Sequence, residues 1–343
     1  MTTQAITDII ASAYSHLIGQ TTIIRRRVKI WTAYAMGANP EGAFLQGAAG
    51  LGKTALLRAD LNACQLAGEI RKETEKPLFY QSAGELRLAG ENWTRFMGEF
   101  LTPGGTGICY LDEMHELFSP SATVQTGKII SLIKGLSDSQ RGDFRQVSFG
   151  DEGTVERHAG NIAFVVATNF PEKMKDAEAI LSRLGVYELA LYSPDELTAI
   201  AVILADAAGI KVAENTISVI AHCGRGTARP VEKIVQALKR ESLLAGKSTV
   251  NKADVVNVMR DLELYPRGLT LHEVSMLIHG CKGYVSKVTL ATVFNVSAKA
   301  IADSVAFLHS ADMIAVKGST FTTSQIGRDY IAAIAADKFT MPV

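Results

Sequence analysis

The chain has 343 residues, more than one hydrophobic core usually serves, so two or three domains are expected. Apolar residues make up 47% of it, charged residues 20%, and the 35 basic side chains equal the 35 acidic ones. A net charge of zero gives no general attraction to nucleic acid, so only a local basic patch could supply one. The four cysteines are far apart and form no C-x-x-C pair, which argues against a zinc site and a disulfide framework.

The sequence contains no signal for export or membrane insertion. Its N-terminus has no basic segment leading into an apolar one, and no stretch approaches about 18 uninterrupted apolar residues. Reduced thiols are the simplest interpretation of the scattered cysteines. We therefore expect a cytoplasmic protein that does not contact a membrane.

The first part of the chain alternates between short strands and helices. Apolar runs at 42–46, 108–111 and 162–168 end in polar residues and predict buried parallel strands. Segments with helical spacing lie between them. This alternation predicts an α/β domain with a doubly wound sheet over residues 1–190.

Helices alone are predicted in the next part. Apolar residues recur at helical spacing over 197–204 and 231–238, with no strand predicted between them. Asn251 begins one more helix, and a turn at 265–268 follows. The sequence predicts a small helical domain over residues 191–264.

The last part, residues 265–343, has the element order of a winged helix. A helix at 269–280 precedes a short helix, a turn at Asn295 and a helix with Ser297 as its N-cap. Two short strands joined at Gly318 and a terminal helix complete it. A helix-turn-helix followed by a two-stranded wing predicts a winged-helix domain.

A glycine-rich loop follows the first predicted strand. Residues 47–54 read GAAGLGKT and fit G-x4-G-K-[ST], a pattern whose backbone N–H groups surround nucleotide phosphates. In this pattern Lys53 reaches the β- and γ-phosphates and the Thr54 hydroxyl binds Mg²⁺. A glycine turn with a solvent-facing lysine is the alternative, but the position between a strand and a helix favours binding of ATP and Mg²⁺.

Two later strands end in polar side chains suited to phosphoryl transfer. Asp112 would hold Mg²⁺ through water, and Glu113 would polarise the attacking water. Asn169 follows the strand at 162–168 and could sense the γ-phosphate. The alternatives are a solvated strand end for the acidic pair and an ordinary turn residue for Asn169. The glycine-rich loop upstream favours catalytic roles for all three.

Two arginines are candidates for sensing the nucleotide. Arg183 stands just before the helical domain, and Arg229 precedes Pro230, a residue suited to the first turn of a helix. If the protein forms a ring, Arg183 could act as an arginine finger in the neighbouring site and Arg229 as a sensor within its own subunit. Surface or helix-capping arginines are the alternative.

The order of these motifs resembles the RuvB family of AAA+ motors, which drive branch migration at Holliday junctions. The matching stretches, between Leu17 and Tyr330, are IGQ, GAAGLGKTALL, LDEMHELFSP, ILSRLGVYELALYSPDEL and GRGTARPVEKI. The resemblance implies an AAA+ P-loop NTPase core, a small helical lid domain and a C-terminal winged helix. It also implies a homo-oligomeric ring, a hexamer, around duplex or branched DNA, and a RuvA-like adaptor protein.

The same resemblance implies which residues contact the nucleotide. Leu17 and Ile18 would form part of the adenine pocket, and Tyr192 would lie beside the nucleotide. Arg183 would be the trans-acting finger and Arg229 the second sensor. The loop residues in contact with the nucleotide would be Gly50, Leu51, Gly52, Lys53, Thr54 and Ala55.

The chain departs from the family where DNA would bind. The RuvB wing presents arginines to DNA, whereas this wing offers Lys317, and Lys299 in the preceding helix is the other candidate. Residues 264–343 hold seven Lys and Arg against five Asp and Glu, a weak footing for phosphate binding. Asn169 replaces the threonine usual in RuvB. A basic run at 25–29 could meet DNA, but a solvated helix face is favoured. These departures indicate a diverged relative of the kind that a phage or mobile element carries.

A β-hairpin is predicted just before the Asn169 strand. Polar and apolar residues alternate over 144–159 around a tip at 150–153. In RuvB-like proteins such a hairpin docks a partner, so Val147 and Phe149 are candidates for that contact. Packing of these side chains on their own domain is an equal alternative.

Three functions are compatible with the sequence. The leading one is an ATP-driven translocase or helicase that moves duplex or branched DNA through a ring in recombination or replication. The second is an ATP-switched loader or targeting factor in which nothing is pumped, and the nearly neutral winged helix motivates it. The third is a protein-remodelling ATPase, because winged helices do not all bind DNA.

Overall fold

The computed structural model divides the chain into two compact units, Met1–Tyr192 and Ser193–Val343. The separate helical and winged-helix domains expected on either side of residue 264 therefore lie within one unit, and the expected domain limits stay predictions. The residues that the structure describes are 1–72, 79–82, 106–118, 144–148, 154–158 and 161–336.

The first unit is built on a parallel sheet of five strands in the order β2-β3-β6-β1-β7. The strands of this unit are β1 (Ala43–Gln46), β2 (Phe79–Ser82), β3 (Thr106–Asp112), β4 (Phe144–Ser148), β5 (Thr154–His158), β6 (Asn161–Thr168) and β7 (Gly185–Glu188). The helices are α1 (Thr3–Ser12), α2 (Thr21–Ala35), α3 (Lys53–Arg71) and α4 (Glu178–Leu181), with 3-10 helices at Met114–Phe118 and Pro171–Ala177. The three predicted parallel strands are confirmed as β1, β3 and β6.

The sheet gathers the ends of its central strands at one edge. Residues 43–45, 108–111 and 163–167 are buried on both faces of the sheet, which explains their continuous apolar character. Gln46 pairs with Thr168, so the two strands end at the same level. Because all five strands are parallel, the segments that follow β1, β3 and β6 meet at the carboxyl edge, where ligands bind in open α/β sheets.

The basic run on α2 is only partly a solvated face. Arg25, Arg26 and Lys29 are exposed, but Arg27 is fully buried, and its Nη2 lies 3.0 Å from Oδ2 of Asp60 on α3. The expectation of a solvated face was wrong for Arg27, because a five-residue run covers more than one helical turn and Arg27, with Val28, falls on the inward side.

The predicted hairpin is confirmed in its two strands. β4 and β5 are antiparallel, and Val147 pairs with Val155. Phe149 and the tip at 150–153 lie outside the described residues. The expected contact with a partner therefore stays a prediction.

The second unit begins with a helical bundle. Its helices are Pro194–Ala208, Glu214–His222, Ala228–Leu244 and Lys252–Asp261, and Asn251 caps the last of these in a capping box with Asp254. The expectation of helices alone was wrong in one detail, since Lys211–Val212 and Thr249–Val250 form a short parallel pair. Two-residue strands are too short to leave an alternating pattern in the sequence.

The unit continues into a winged helix, as predicted. Helices Leu271–Cys281, Lys287–Val293 and Ala298–Ser310 are followed by strands Ile314–Lys317 and Thr320–Thr323 and by helix Gln325–Ala336. Strand Val285–Ser286 adds to the wing to make three antiparallel strands. A short pair, Leu264–Tyr265 with Leu269–Thr270, flanks a 3-10 helix at Pro266–Gly268. Over the described ranges, no helix is both long and apolar enough for a membrane span.

Candidate active site

The loop between β1 and α3 has the shape of a phosphate-binding loop. Gly47, Gly50 and Gly52 have φ angles of 144°, 85° and 88°, which side chains other than glycine rarely adopt. A Cβ on Gly52 would lie 2.5 Å from the Tyr192 hydroxyl. The loop leads directly into α3 at Lys53, and the N–H groups of a first helical turn, which have no partner within the helix, are suited to bind phosphate oxygens.

Tyr192 packs against this loop. Its side chain is buried, and its hydroxyl donates a hydrogen bond to the Leu51 carbonyl, with 3.0 Å between the two oxygens. Tyr192 therefore lies against the phosphate-binding loop, and its contact with the nucleotide stays a prediction.

The segment between α1 and α2 is tied to the chain just before Tyr192. The Gln20 amide donates to the Ala190 carbonyl (2.7 Å) and accepts from the Ala190 N–H (3.1 Å). Leu17 and Ile18, the predicted adenine contacts, are half-buried in this segment. The Gln20 contacts tie this segment to the chain two residues before Tyr192, and the roles of Leu17 and Ile18 stay predictions.

The ammonium group of Lys53 is surrounded by oxygen atoms. It donates to the carbonyls of Gly47 (2.7 Å) and Ala48 (3.0 Å) and to Oδ1 of Asn169 (2.6 Å). The contact between Lys53 and Asn169 joins the loop after β1 to the end of β6. Two residues selected separately in the sequence therefore belong to one site.

The Asn169 side chain bridges a cation and an anion. Its Oδ1 accepts from Lys53, and its Nδ2 donates to Oε1 of Glu113. Because an ammonium group only donates and a carboxylate only accepts, this is the amide orientation that satisfies both partners. The amide links the loop lysine to the carboxylate that follows β3.

Glu113 lies in an unusual backbone conformation at the end of β3. Its φ angle is 52°, in the left-handed region, and its N–H donates to Oδ1 of Asp112 over 2.9 Å. This turn places the Glu113 carboxylate beside Asn169, while Asp112 ends the strand. The two carboxylates therefore occupy different positions: Glu113 contacts Asn169, and Asp112 lies at the end of β3.

His115 is a site residue that the sequence analysis did not select. Its Nδ1 lies 3.2 Å from Oε2 of Glu113 and 2.9 Å from Oγ1 of Thr168. Its ring meets the edge of Phe170, with 4.9 Å between centroids. His115 lies in the LDEMHELFSP stretch that carries the resemblance. A histidine in a short 3-10 helix after a strand belongs to no periodic pattern, so nothing in the sequence singles it out as a site residue.

The residues predicted to bind Mg²⁺ suit that ion. Thr54 is exposed in the first turn of α3, and Asp112 is half-buried at the end of β3, so a hydroxyl and a carboxylate are available at the carboxyl edge. Mg²⁺ prefers such oxygen ligands and takes one or two from protein when phosphates supply others. No cluster of three His, Cys, Asp or Glu occurs in the described part of the chain, and such a site does not need one. Ala55, the last predicted loop contact, is exposed.

The remaining predicted site residues are exposed. Arg183 lies in the turn after α4. In the second unit Arg229 is the second residue of helix Ala228–Leu244, Lys299 lies in the first turn of helix Ala298–Ser310, and Lys317 ends a wing strand. The roles of these four residues stay predictions.

Known proteins share both sequence and fold with this chain. The Holliday junction branch migration complex subunit RuvB of Treponema pallidum is 26% identical over 271 residues, or 76% of this chain and 69% of that protein. The Thermotoga maritima RuvB Holliday junction branch migration motor superposes with a TM-score of 0.61 at 20% identity, covering 95% of this chain and 96% of that one. The Aeropyrum pernix ORC1 protein in complex with DNA has a TM-score of 0.53 at 16% identity, covering 94% of this chain and 93% of that one. No family model matches the sequence.

The parallel sheet and the phosphate-binding loop define the fold of an AAA+ P-loop NTPase, and polar residues gather at the carboxyl edge of the sheet. Within that fold class, the Treponema sequence and the superposition over nearly the whole chain make this chain similar to RuvB proteins.

Proposed function

We propose that this chain is an ATP-driven motor that moves duplex or branched DNA through a ring of its own copies. The observation that supports ATP turnover is the linked set Lys53, Asn169 and Glu113 at the carboxyl edge of the sheet. A winged helix on the same chain, together with the naming of the Treponema relative as a branch migration subunit, supports DNA as the load.

The site residues divide the work of phosphoryl transfer between them. Lys53 binds the β- and γ-phosphates once it leaves the loop carbonyls, and Glu113 accepts a proton from the attacking water. Asn169 stands where it can orient that water and sense the γ-phosphate. Thr54 and Asp112 would hold Mg²⁺, which when bound neutralises charge on the phosphate oxygens.

Assembly into a ring, proposed as a hexamer, completes the site. Arg183 is exposed in the first unit, where a neighbouring copy could receive it as an arginine finger. Arg229 serves as the second sensor from the helical bundle. A RuvA-like adaptor would dock on the hairpin β4–β5 through Val147 and Phe149, and Lys299 and Lys317 would contact the DNA backbone.

Hydrolysis and movement of junction DNA by the wild type and by Glu113→Gln test this proposal. We expect DNA-stimulated hydrolysis and branch migration by the wild type. Glu113→Gln should retain ATP binding but lose roughly 10²- to 10⁴-fold in kcat, the usual contribution of a general base. Glu116→Gln, three residues further along the same segment, is the matched control and should stay active.

The absence of both DNA-stimulated hydrolysis and branch migration in the wild type, with and without an adaptor protein, would falsify the motor proposal. Junction DNA bearing a fluorophore and quencher on separate arms reports migration directly. A wild type that hydrolyses ATP without moving DNA would leave an ATPase but not a motor.

The nearly neutral winged helix favours a second candidate, an ATP-switched loader or targeting factor. A single wing lysine and one helix lysine would neutralise about two phosphates, which gives a slope of roughly −2 for log K against log salt. Loading that survives in Glu113→Gln would favour the loader, because that variant binds ATP without turning it over. A flat salt dependence in filter binding would instead favour a protein partner.

A further inference from the structure

We propose that His115 is a positioning residue that holds the Glu113 carboxylate in place during ATP hydrolysis. The inference rests on the proposed ATPase function and deepens it, because it assigns separate roles to the two oxygens of one carboxylate. His115 lies two residues after Glu113, in the 3-10 helix Met114–Phe118.

Oε2 of Glu113 is a buried carboxylate oxygen without a hydrogen-bond partner among the described residues. Even His115 forms no hydrogen bond with it, although His115 Nδ1 lies within ion-pair distance at 3.2 Å. A buried carboxylate oxygen without a donor is costly. A proton on Nδ1 of His115 lies between Thr168 Oγ1 and Oε2 of Glu113, so a small turn of the imidazole would direct that single proton from the hydroxyl to the carboxylate.

His115 is itself held in place by Thr168 and Phe170. Its Nδ1 lies 2.9 Å from Oγ1 of Thr168, a fully buried residue at the end of β6. That hydroxyl also accepts from the Phe170 N–H over 3.0 Å, and the Phe170 ring packs edge-on against the imidazole. The orientation of His115 is therefore fixed by the central sheet, which makes it a firm support for a neighbouring side chain.

The two carboxylate oxygens of Glu113 therefore have different neighbours and different roles. Oε1 is bound by Asn169, whose other side contacts Lys53, whereas Oε2 faces His115. When Lys53 and Asn169 turn to the γ-phosphate, Oε1 loses its donor and becomes available to the attacking water. His115 keeps Oε2 in place, so Glu113 pivots about a fixed point.

Two substitutions of His115 test whether the donor to Glu113 must lie at the position of Nδ1. In His115→Asn the amide nitrogen lies near the place of Nδ1, whereas in His115→Gln it lies near the place of Nε2. We expect His115→Asn to keep kcat within about threefold of wild type, and His115→Gln and His115→Ala to lose roughly 10- to 100-fold, as outer-sphere partners often do. The Kd of a fluorescent ATP analogue should change less than about twofold, because His115 is not one of the residues proposed to bind the phosphates.

A double mutant separates positioning from a general effect on folding. Glu113→Gln has no carboxylate to hold, so adding His115→Gln to it should lower the residual hydrolysis by less than about twofold. Thermal unfolding of each variant checks that the fold persists. An equal loss in Asn and Gln variants, or full kcat in His115→Gln, would overturn the inference and leave the ATPase proposal standing. A wild type that does not hydrolyse ATP would overturn both.

Discussion

Asp60 is a buried carboxylate on α3 that holds three elements of the first unit together. It accepts hydrogen bonds from Tyr14, after α1, and from Arg27 and Trp31 on α2. Burial, with Asp60 adding to it, raises the pKa of Tyr14 far above its usual value, so the phenol stays protonated and donates. Since α3 begins at Lys53, the cluster fixes the helix that carries the phosphate-binding loop.

Asp60→Asn should destabilise the first unit strongly. It leaves Arg27 charged and buried without its counter-ion, so we expect the free energy of unfolding to fall by about 3–5 kcal/mol. Tyr14→Phe removes one hydrogen bond at the same place and should cost about 1 kcal/mol. Urea unfolding of both variants measures the difference. Equal losses would contradict a central role for the ion pair.

Gly52→Ala should weaken ATP binding by about tenfold. The left-handed backbone disfavours any side chain there by about 1–2 kcal/mol, and the new Cβ would lie 2.5 Å from the Tyr192 hydroxyl. Adding Tyr192→Phe removes that oxygen and leaves a ring carbon 3.8 Å away as the next neighbour, so part of the affinity should return. Isothermal titration with ATP measures both effects.

A glycine with the same backbone handedness but open surroundings provides the control for Gly52. Gly246, in the second unit, has a φ of 63°, and a Cβ added to it would meet no atom of the described residues within 4 Å. Gly246→Ala should leave the ATP affinity unchanged. A loss as large as that of Gly52→Ala would show that the close contact with Tyr192 is unimportant.

At the level of elements, the strands and helices could be predicted because they follow from the period of apolar residues. β1, β3 and β6 are continuous apolar runs, and the glycine-rich loop marks the end of β1. Contacts between distant side chains could not be predicted in this way. His115 meets Thr168 across 53 positions, and Arg27 meets Asp60 across 33, and no local pattern encodes either pair.

Within the second unit, one ion pair connects the helical bundle to the winged helix. Arg225, in the turn before helix Ala228–Leu244, forms two hydrogen bonds with the buried Glu273 carboxylate, at 2.9 Å and 3.1 Å. Its guanidinium carbon lies 3.4 Å from the ring centroid of Phe307. Glu273 also closes the capping box of helix Leu271–Cys281 with Thr270. One arginine therefore contacts two helices of the winged helix.

Arg225→Ala should lower the free energy of unfolding of the second unit by about 2–3 kcal/mol, since Glu273 then stays buried without its partner. Arg240→Ala, an exposed arginine on helix Ala228–Leu244, is the control and should change stability by less than about 0.5 kcal/mol. A double-mutant cycle with Glu273→Gln measures the coupling. A coupling near zero would show that the pair does not join the two parts.

For the whole molecule, mixed assemblies test whether the site is completed by a neighbouring copy. Arg183→Ala lacks the proposed finger, and Glu113→Gln lacks the proposed base, so each should be inactive alone. If Arg183 acts in the adjacent subunit, a mixture of the two variants contains interfaces with both groups intact, and hydrolysis should return. Steady-state ATPase rates over a series of mixing ratios measure this. Mixtures that stay inactive at every ratio would show either that Arg183 and Glu113 act in the same subunit or that the chain is monomeric.

The amide bridge of Asn169 gives the ligand-free protein a property of its own. Asn169 binds both Lys53 and Glu113 before any nucleotide arrives. An incoming phosphate must therefore compete with these contacts inside the protein. The apparent affinity for ATP is then the intrinsic affinity multiplied by the fraction of molecules in which the bridge is open. The chain would then work fully only where ATP is abundant, and a cell short of energy would leave it idle with its catalytic groups bound to one another.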